Sequence, residues 1–484
     1  MTTTNPGKLT RRDFFKVAGI AGGLLAAGGA GLRLVHDLNG RDFHDENTQA
    51  WLASIQPAAA PGDLPNIILI NADDLGYGDL GCYGSQAIHT PNLDRLAAEG
   101  TCLTEFYACA PLCSPSRAGL MTGRYPIRTH VTMPLYPAGA PLDIAFNALG
   151  VYNYGVRGIP QDEILLPEVL KRRGYQTALL GKWHLGDRSP SLPNDRGFDL
   201  FYGALFSNDM PPYEIYRNQH IEIPAPADQD QLTTHLTREA LDFIRQNKNR
   251  PFFLYYAQPF PHSPAHASPA FSGKSAAGLY GDAVEEIDWS IGEILKSLQE
   301  LQLEHKTLVI FTSDNGPWWQ GAPGGLRGRK NLAFEGGLRV PLIARWPGVM
   351  PTGQTIEGMA SNLDFLPTLL KVAGAPLPAD RIIDGKDILP MLQGLSGSPH
   401  EQFLYYKGSS MIGMRYQNWK YMRRHMTDNG GYASLRQGPF LFNLETDPSE
   451  SYSLIESHPQ IAAQMVARME AWDGAIRENR RGWE

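Results

Sequence analysis

Two apolar runs that end in hard-oxygen clusters constrain this chain more than any other feature. Asn66-Ile67-Ile68-Leu69-Ile70 leads into Asn71-Ala72-Asp73-Asp74, and Thr307-Leu308-Val309-Ile310-Phe311 leads into Thr312-Ser313-Asp314-Asn315-Gly316. Runs this short and apolar, rich in β-branched residues, read as strands buried on both faces, as in a parallel sheet covered by helices. The carboxyl ends of such strands open on one crevice. Adjacent carboxylates there repel unless a cation sits between them. Asp73, Asp74, Asp314 and Asn315 are therefore expected around a single ion. All-oxygen ligation suits Ca²⁺ or Mg²⁺ and argues against zinc. Solvated loop acids are the bland alternative, and the core strand ahead of each cluster favours the metal.

The rest of the chain fits an α/β fold. Helices are predicted to open at Thr90-Pro91-Asn92 and Leu166-Pro167-Glu168 and to run over 362–373, with strands over 176–180 and 251–257 and a further strand and turn over 342–348. A long helix beginning near Tyr280 is read with its acids, Asp282 and Glu285 among them, on a solvated side. From about His400 the pattern changes to short strands and hairpins, closed by a helix over 459–479. The expectation is a large domain (65–395) with a mostly parallel mixed sheet flanked by helices, then a small antiparallel sheet with one helix (396–484). A length of 484 residues with 42% hydrophobic content suffices for both. A net charge of −7 gives no sign of nucleic-acid binding.

At the start of the chain, Arg11-Arg12-Asp13-Phe14-Phe15-Lys16 precedes a Gly/Ala-rich apolar stretch, the layout of a bacterial twin-arginine export signal. Residues 1–40 are expected to be that signal, read by the twin-arginine translocase, and 41–64 a linker. The stretch is too short and Gly-rich for a permanent membrane span, and a periplasmic or secreted protein is expected. Cys82, Cys102, Cys109 and Cys113 cluster instead of spreading as a disulfide framework would. The first three are expected as inert buried thiols, with one bridge among them as the alternative.

Ser114 as N-cap and Pro115 as first helical residue predict a helix to about Gly123, with Cys113 just ahead of it. Free N–H groups at such a start favour an anion, and Arg117 adds a full charge one turn on. A structural cysteine before an ordinary helix is the bland reading. Lys182 and His184 alternate along an extended chain, so both are expected on one side. His262 follows a core strand, where capping a turn would be an ordinary role.

The run Cys113-Ser114-Pro115-Ser116-Arg117, with Gly181-Lys182-Trp183-His184-Leu185-Gly186, Tyr280-Gly281-Asp282-Ala283-Val284 and Glu335-Gly336-Gly337, resembles the sulfatase family. These formylglycine-dependent enzymes belong to the alkaline phosphatase superfamily, and the motifs are most similar to the branch containing arylsulfatase A and N-acetylgalactosamine-6-sulfatase. The resemblance implies that a formylglycine-generating enzyme converts Cys113 to Cα-formylglycine. One hydroxyl of the hydrated aldehyde then attacks the sulfur of a sulfate ester; the other later loses its proton and expels sulfate. It further implies a calcium held by Asp73, Asp74, Asp314 and Asn315 and touching residue 113, with Asp314 as base. Arg117, Lys182 and His184 would hold the diol, and Lys182, His262, Lys330 and Ser207 the sulfate, with His262 protonating the leaving group. The implied substrate is a sulfated carbohydrate or an aryl sulfate. Loops 136–157 and Pro317-Trp318-Trp319-Gln320 are expected to set specificity by stacking. Phosphonate or phosphate ester hydrolysis is the competing enzymatic reading, and a sulfated-glycan binding module with unmodified Cys113 the non-catalytic one.

Overall fold

The computed structural model describes residues 45–148, 157–423, 425–428 and 434–484. The export-signal segment 1–40 lies outside them, as do residues 149–156 of the loop 136–157.

Strand Asn66–Asp73 is the centre of the fold. Successive side chains on a strand point to opposite faces, and here both faces are apolar: Ile67 and Leu69 enter one core, Ile68 and Ile70 another. Helices Cys113–Thr122, Leu166–Arg172 and Phe365–Val372 close the first core. Helices Pro91–Ala98, Leu232–Asn247 and Gly278–Glu300 close the second. Phe252–Pro261 and Thr307–Ser313 run parallel to the central strand on either side, and Gln176–Lys182 and Leu200–Ala204 extend the parallel set beyond 252–261. Direction reverses at Leu342–Arg345 on one side and Ile215–Arg217 on the other. Among the described residues this mixed sheet has ten strands.

Strands Gln402–Lys407, Ser410–Tyr416, Trp419–Met422 and Phe440–Asn443 form the small antiparallel sheet, in that order. Helix Pro459–Glu478 packs on it through Ala462, Met465, Met469 and Ile476. That core also takes in Ala333, Phe334 and Leu338 of the large domain, so the two parts share apolar residues at their junction. The α/β architecture is the expected one.

Four details differ. Within the stretch read as a linker, Asp45–Ser54 is a helix; Thr48, Leu52 and Ile55 recur at helical spacing and are buried, the two apolar residues in the first core. The helix at Cys113 has Leu112, not Ser114, at its N-cap, and Cys113 is its first residue. Ser114 Oγ instead accepts the Leu135 N–H at 3.1 Å. The acids of helix Gly278–Glu300 are not a solvated side: Asp282, Glu286 and Asp288 are buried. Asp282 accepts N–H groups of Gly273, Lys274 and Ser275, and Asp288 those of Asn92 and Leu93, because buried loop donors need acceptors. Finally, all four cysteines are free, and of the first three only Cys109 is buried. No helix among the described residues is long and apolar enough to cross a membrane.

Candidate active site

Parallel pairing in register, Ala72 against Ser313, delivers the two oxygen clusters side by side. Asp74 turns off the strand end in a left-handed conformation (φ 63°) and donates its N–H to Asp314 Oδ1 at 3.3 Å. The helix start faces them. Cys113 Sγ lies 3.3 Å from Asp73 Oδ1 and 4.0 Å from Asp74 Oδ1. One ligand atom each from Asp73, Asp74, Asp314 and Cys113 lie within 4.8 Å of one another. Asn315 Nδ2 donates to Asp74 Oδ1 at 2.7 Å, while its buried Oδ1 has no hydrogen-bond partner.

Cations surround this cluster. Lys182 Nζ is 2.5 Å from Asp73 Oδ2 and 3.1 Å from Ser207 Oγ. Lys330 Nζ is 2.8 Å from Asp74 Oδ2 and 3.4 Å from Cys113 Sγ. Arg117 Nε donates to Asp314 Oδ2, and its Nη1 to the Lys182 carbonyl, both at 2.9 Å. His262 Nε2 is 3.6 Å from Asp74 Oδ2, and its Nδ1–H donates to Asn208 Oδ1 at 2.9 Å.

His184 sits at φ 62°, so the extended alternation expected for Lys182 and His184 fails after Lys182, the last strand residue. Inside the strand, Gly181 (φ 111°) packs so close to its neighbour that a Cβ would come within 1.9 Å of the Ala257 carbonyl oxygen; only glycine fits. His184 Nε2 then lies 2.9 Å from the Leu135 carbonyl, and its Nδ1 is buried without a partner.

Electrostatics follow from burial. Burial opposes ionisation of Asp73, but Lys182, His262, Arg117 and Lys330 outweigh it and hold its carboxyl well below the usual range. Burial and the Asp73 charge push Asp314 up to about 7. Asp314 would ionise more readily if a further cation joined the cluster, and the orphaned Asn315 oxygen offers that cation another hard ligand. The donor set fits a divalent ion such as Ca²⁺. Burial, then the Asp73 charge, raises the Cys113 thiol well above its ordinary value, so an unmodified Cys113 would stay protonated near neutrality and be a weak nucleophile. Burial and then Lys182 keep His184 neutral, so Nε2 carries the proton donated to Leu135 and Nδ1 is an acceptor. Burial and then Lys330 lower His262.

Ten of the eleven residues singled out in the sequence are thus linked by contacts at one site, and His184 lies close enough to feel the charges of Lys182, Arg117 and Asp73. Sequence reasoning missed Asn208, which orients His262, and Tyr280, whose hydroxyl donates to Asp79 Oδ2 at 2.5 Å and lies 3.3 Å from the Asp74 carbonyl. Asn208 adjoins Ser207, and Tyr280 opens a quoted motif, so adjacency was the available signal.

Positive charge gathered on one buried side chain, at the carboxyl ends of a parallel sheet, suits hydrolysis of an anionic ester. Residues 65–375 match the family model described as Sulfatase, and residues 328–473 that described as N-sulphoglucosamine sulphohydrolase, C-terminal. Steryl-sulfatase of Homo sapiens is 36% identical, covering 84% of this chain and 87% of its own length. N-acetylgalactosamine-6-sulfatase of Canis lupus familiaris is 39% identical, covering 84% and 79%. The solved structure of Ps i-CgsB in complex with k-i-k-neocarrahexaose has a TM-score of 0.72 at 31% identity, covering 84% of this chain and 92% of that one. The chain belongs to the sulfatase family. It is a sulfuric ester hydrolase, and the general mechanism of the family uses a formylglycine and a metal.

Proposed function

We propose that residue 113 works as Cα-formylglycine, made by a formylglycine-generating enzyme, beside one Ca²⁺, and that the substrate is a sulfated carbohydrate. The observation that carries this reading is the seat of Cys113, its Sγ 3.3 Å from Asp73 Oδ1 and 3.4 Å from Lys330 Nζ. Asp73, Asp74, Asp314 and Asn315 would hold the ion. When present, the hydrated aldehyde supplies one hydroxyl to take up the sulfuryl group and another whose deprotonation releases sulfate, and the cation supplies positive charge to both. Asp314 accepts the proton of the attacking hydroxyl. Lys182, Lys330 and Ser207 hold the sulfate oxygens and offset the charge that builds on them. Arg117 fixes Asp314 and the end of the Lys182 strand together. His184 presents a bare Nδ1 that takes a proton from the side chain at 113, and His262, held by Asn208 through Nδ1–H, takes a second proton at Nε2 when the anionic ester binds beside it and passes that proton to the departing alcohol.

The carbohydrate class is supported by relatives whose names concern a sulfated amino sugar and a neocarrahexaose complex, and by Trp318 and Trp319 in the loop beside Lys330. We further infer export by the twin-arginine pathway to the periplasm or medium, on the strength of Arg11-Arg12-Asp13-Phe14-Phe15-Lys16.

Two measurements test this function. Mass spectrometry of the peptide containing residue 113, from cells that possess the modifying enzyme, is expected to show loss of sulfur and gain of oxygen; a thiol alone refutes the nucleophile. Turnover is expected to be fastest on defined sulfated sugars, slower on nitrophenyl and steryl sulfates, and slowest on nitrophenyl phosphonate. Faster phosphonate cleavage would overturn the assignment of the substrate.

A further inference from the structure

Lys330 reaches the site from a loop with no regular structure, which ends at the short helix Glu335–Leu338. Two backbone bonds tie the loop inward, Lys330 N–H to Pro317 O at 2.9 Å and Asn331 N–H to Pro111 O at 2.8 Å. Its two flanks are tied the other way, to the C-terminal sheet. At one flank Arg327 donates Nη1 to the Glu450 carbonyl at 2.9 Å, and its guanidinium lies 4.1 Å from the Phe334 ring and 5.4 Å from the Phe440 ring. At the other flank Glu335 donates its N–H to Glu450 Oε2 at 2.7 Å. Lys420 Nζ, from strand Trp419–Met422, sits 3.0 Å from Glu335 Oε1 and 2.8 Å from Glu450 Oε1.

The side chains of Glu335 and Lys420 are completely buried, and so is that of Glu450. Tyr405 and Tyr107 donate hydroxyls to the two Glu335 oxygens at 2.8 and 2.6 Å, and the Tyr405 ring lies 3.9 Å from Lys420 Nζ. Arg339 approaches Glu335 Oε2 at 3.9 Å, and Arg415 joins Tyr107 to Glu105. Burying a lysine between two carboxylates costs more than an apolar contact of the same volume, so adhesion between two subdomains does not account for it. In some proteins directed charge pairs fix one register where apolar packing tolerates several. The register fixed here is that of the segment from Arg327 to Glu335, with Lys330 inside it.

We propose that Glu335, Lys420 and Glu450 form a clamp between the subdomains that positions Lys330 over residue 113. They are positioning residues, and the C-terminal sheet is a working part of the sulfate pocket. The clamp rests on the reading of Lys330 as a sulfate ligand.

A double-mutant cycle on the full chain, with nitrophenyl sulfate as probe, tests it. Lys330→Ala is expected to lower kcat/KM steeply. Lys420→Met is expected to lower it about tenfold in the native background and less than about twofold in the Lys330→Ala background, because residues acting through one another are not additive. A merely structural Lys420 would give the same factor in both backgrounds, and that result overturns the clamp alone. An unchanged Lys330→Ala enzyme removes the underlying reading and the clamp with it. Where Lys420→Met, which leaves two buried carboxylates facing each other, does not fold, Glu450→Gln keeps the Lys420–Glu335 pair and carries the same cycle. Lys420→Arg, which retains the charge, is expected to recover part of the loss.

Discussion

Arg117 and Asp314 are joined at 2.9 Å through Nε and Oδ2, with both side chains fully buried. The same guanidinium holds the Lys182 carbonyl, so one residue fastens the helix that begins at Cys113 to two strand ends. Removing one partner of a buried pair leaves an uncompensated charge and costs about 3–5 kcal/mol. Arg117→Ala is expected to lose stability of that order together with turnover. Arg117→Lys, without the planar fork, is expected to fold and to lose about a hundredfold in kcat. Urea melts paired with steady-state assays decide the matter; near-native kcat for Arg117→Lys would show that the fork is dispensable.

Chelation is expected to destabilise the enzyme, because Asp73, Asp74 and Asp314 then share a buried site with only Lys182, Lys330 and Arg117 to offset their mutual repulsion. A ligand present at about a hundredfold its Kd contributes roughly 2.7 kcal/mol. Metal-stripped protein should therefore gain several degrees in Tm on adding Ca²⁺, and Asp74→Asn should blunt the gain. Equal melting curves with and without chelator would contradict a resident ion.

Glu450 should make stability depend on pH. Burial, reinforced by the Glu335 charge, pushes its carboxyl up to about 7 against the pull of Lys420. A carboxyl raised by folding binds its proton more tightly in the folded state. Its contribution is full below the unfolded value of about 4.3 and is lost as pH rises through the folded one, a change on the order of 2–4 kcal/mol. Glu335 acts in another window: burial would raise it, but Lys420, Arg339 and Arg415 hold it down to about 2, so its contribution is lost only as pH falls towards that value. Glu450→Gln is expected to gain on the native enzyme between about pH 5 and pH 8 in urea melts. Parallel stability curves would show that Glu450 does not titrate there.

Trp319 is 54% exposed, its ring 6.3 Å from that of Trp318, in the loop whose Pro317 carbonyl accepts the Lys330 N–H. Stacking on such a ring is worth about 0.5–1.5 kcal/mol. Trp319→Ala is expected to raise KM for a sulfated oligosaccharide about three- to tenfold with kcat nearly unchanged, and to affect nitrophenyl sulfate less. Equal effects on both substrates would count against a sugar-stacking role.

What could be read from the sequence follows from physics that is local along the chain. Ile67 to Ile70 announce a strand because burial on both faces leaves an unbroken apolar run, and Asp73 and Asp74 are carried with it. Residues whose role depends on a distant partner gave no such sign. Lys420 meets Glu335 across 85 positions and Glu335 meets Glu450 across 115, and nothing near any of them marks the pairing. Asn208 reaches His262 across 54. Local reasoning also erred where one residue had two uses: Ser114 has the chemistry of a cap, but its hydroxyl serves Leu135. His184 departs from the strand pattern because its backbone is left-handed, a state that no periodicity reports.

Lys420 and Glu450 also follow Lys330 in the chain, and so leave the ribosome after it. Until both have emerged, the segment that brings Lys330 within 3.4 Å of Cys113 Sγ is held only by its inward bonds to Pro111 and Pro317 and lacks its ties to the C-terminal side. Translation order therefore keeps one wall of the pocket loose while the thiol at 113 is already made. Were residue 113 converted as we propose, the modifying enzyme would have to act before the C-terminal strands are complete.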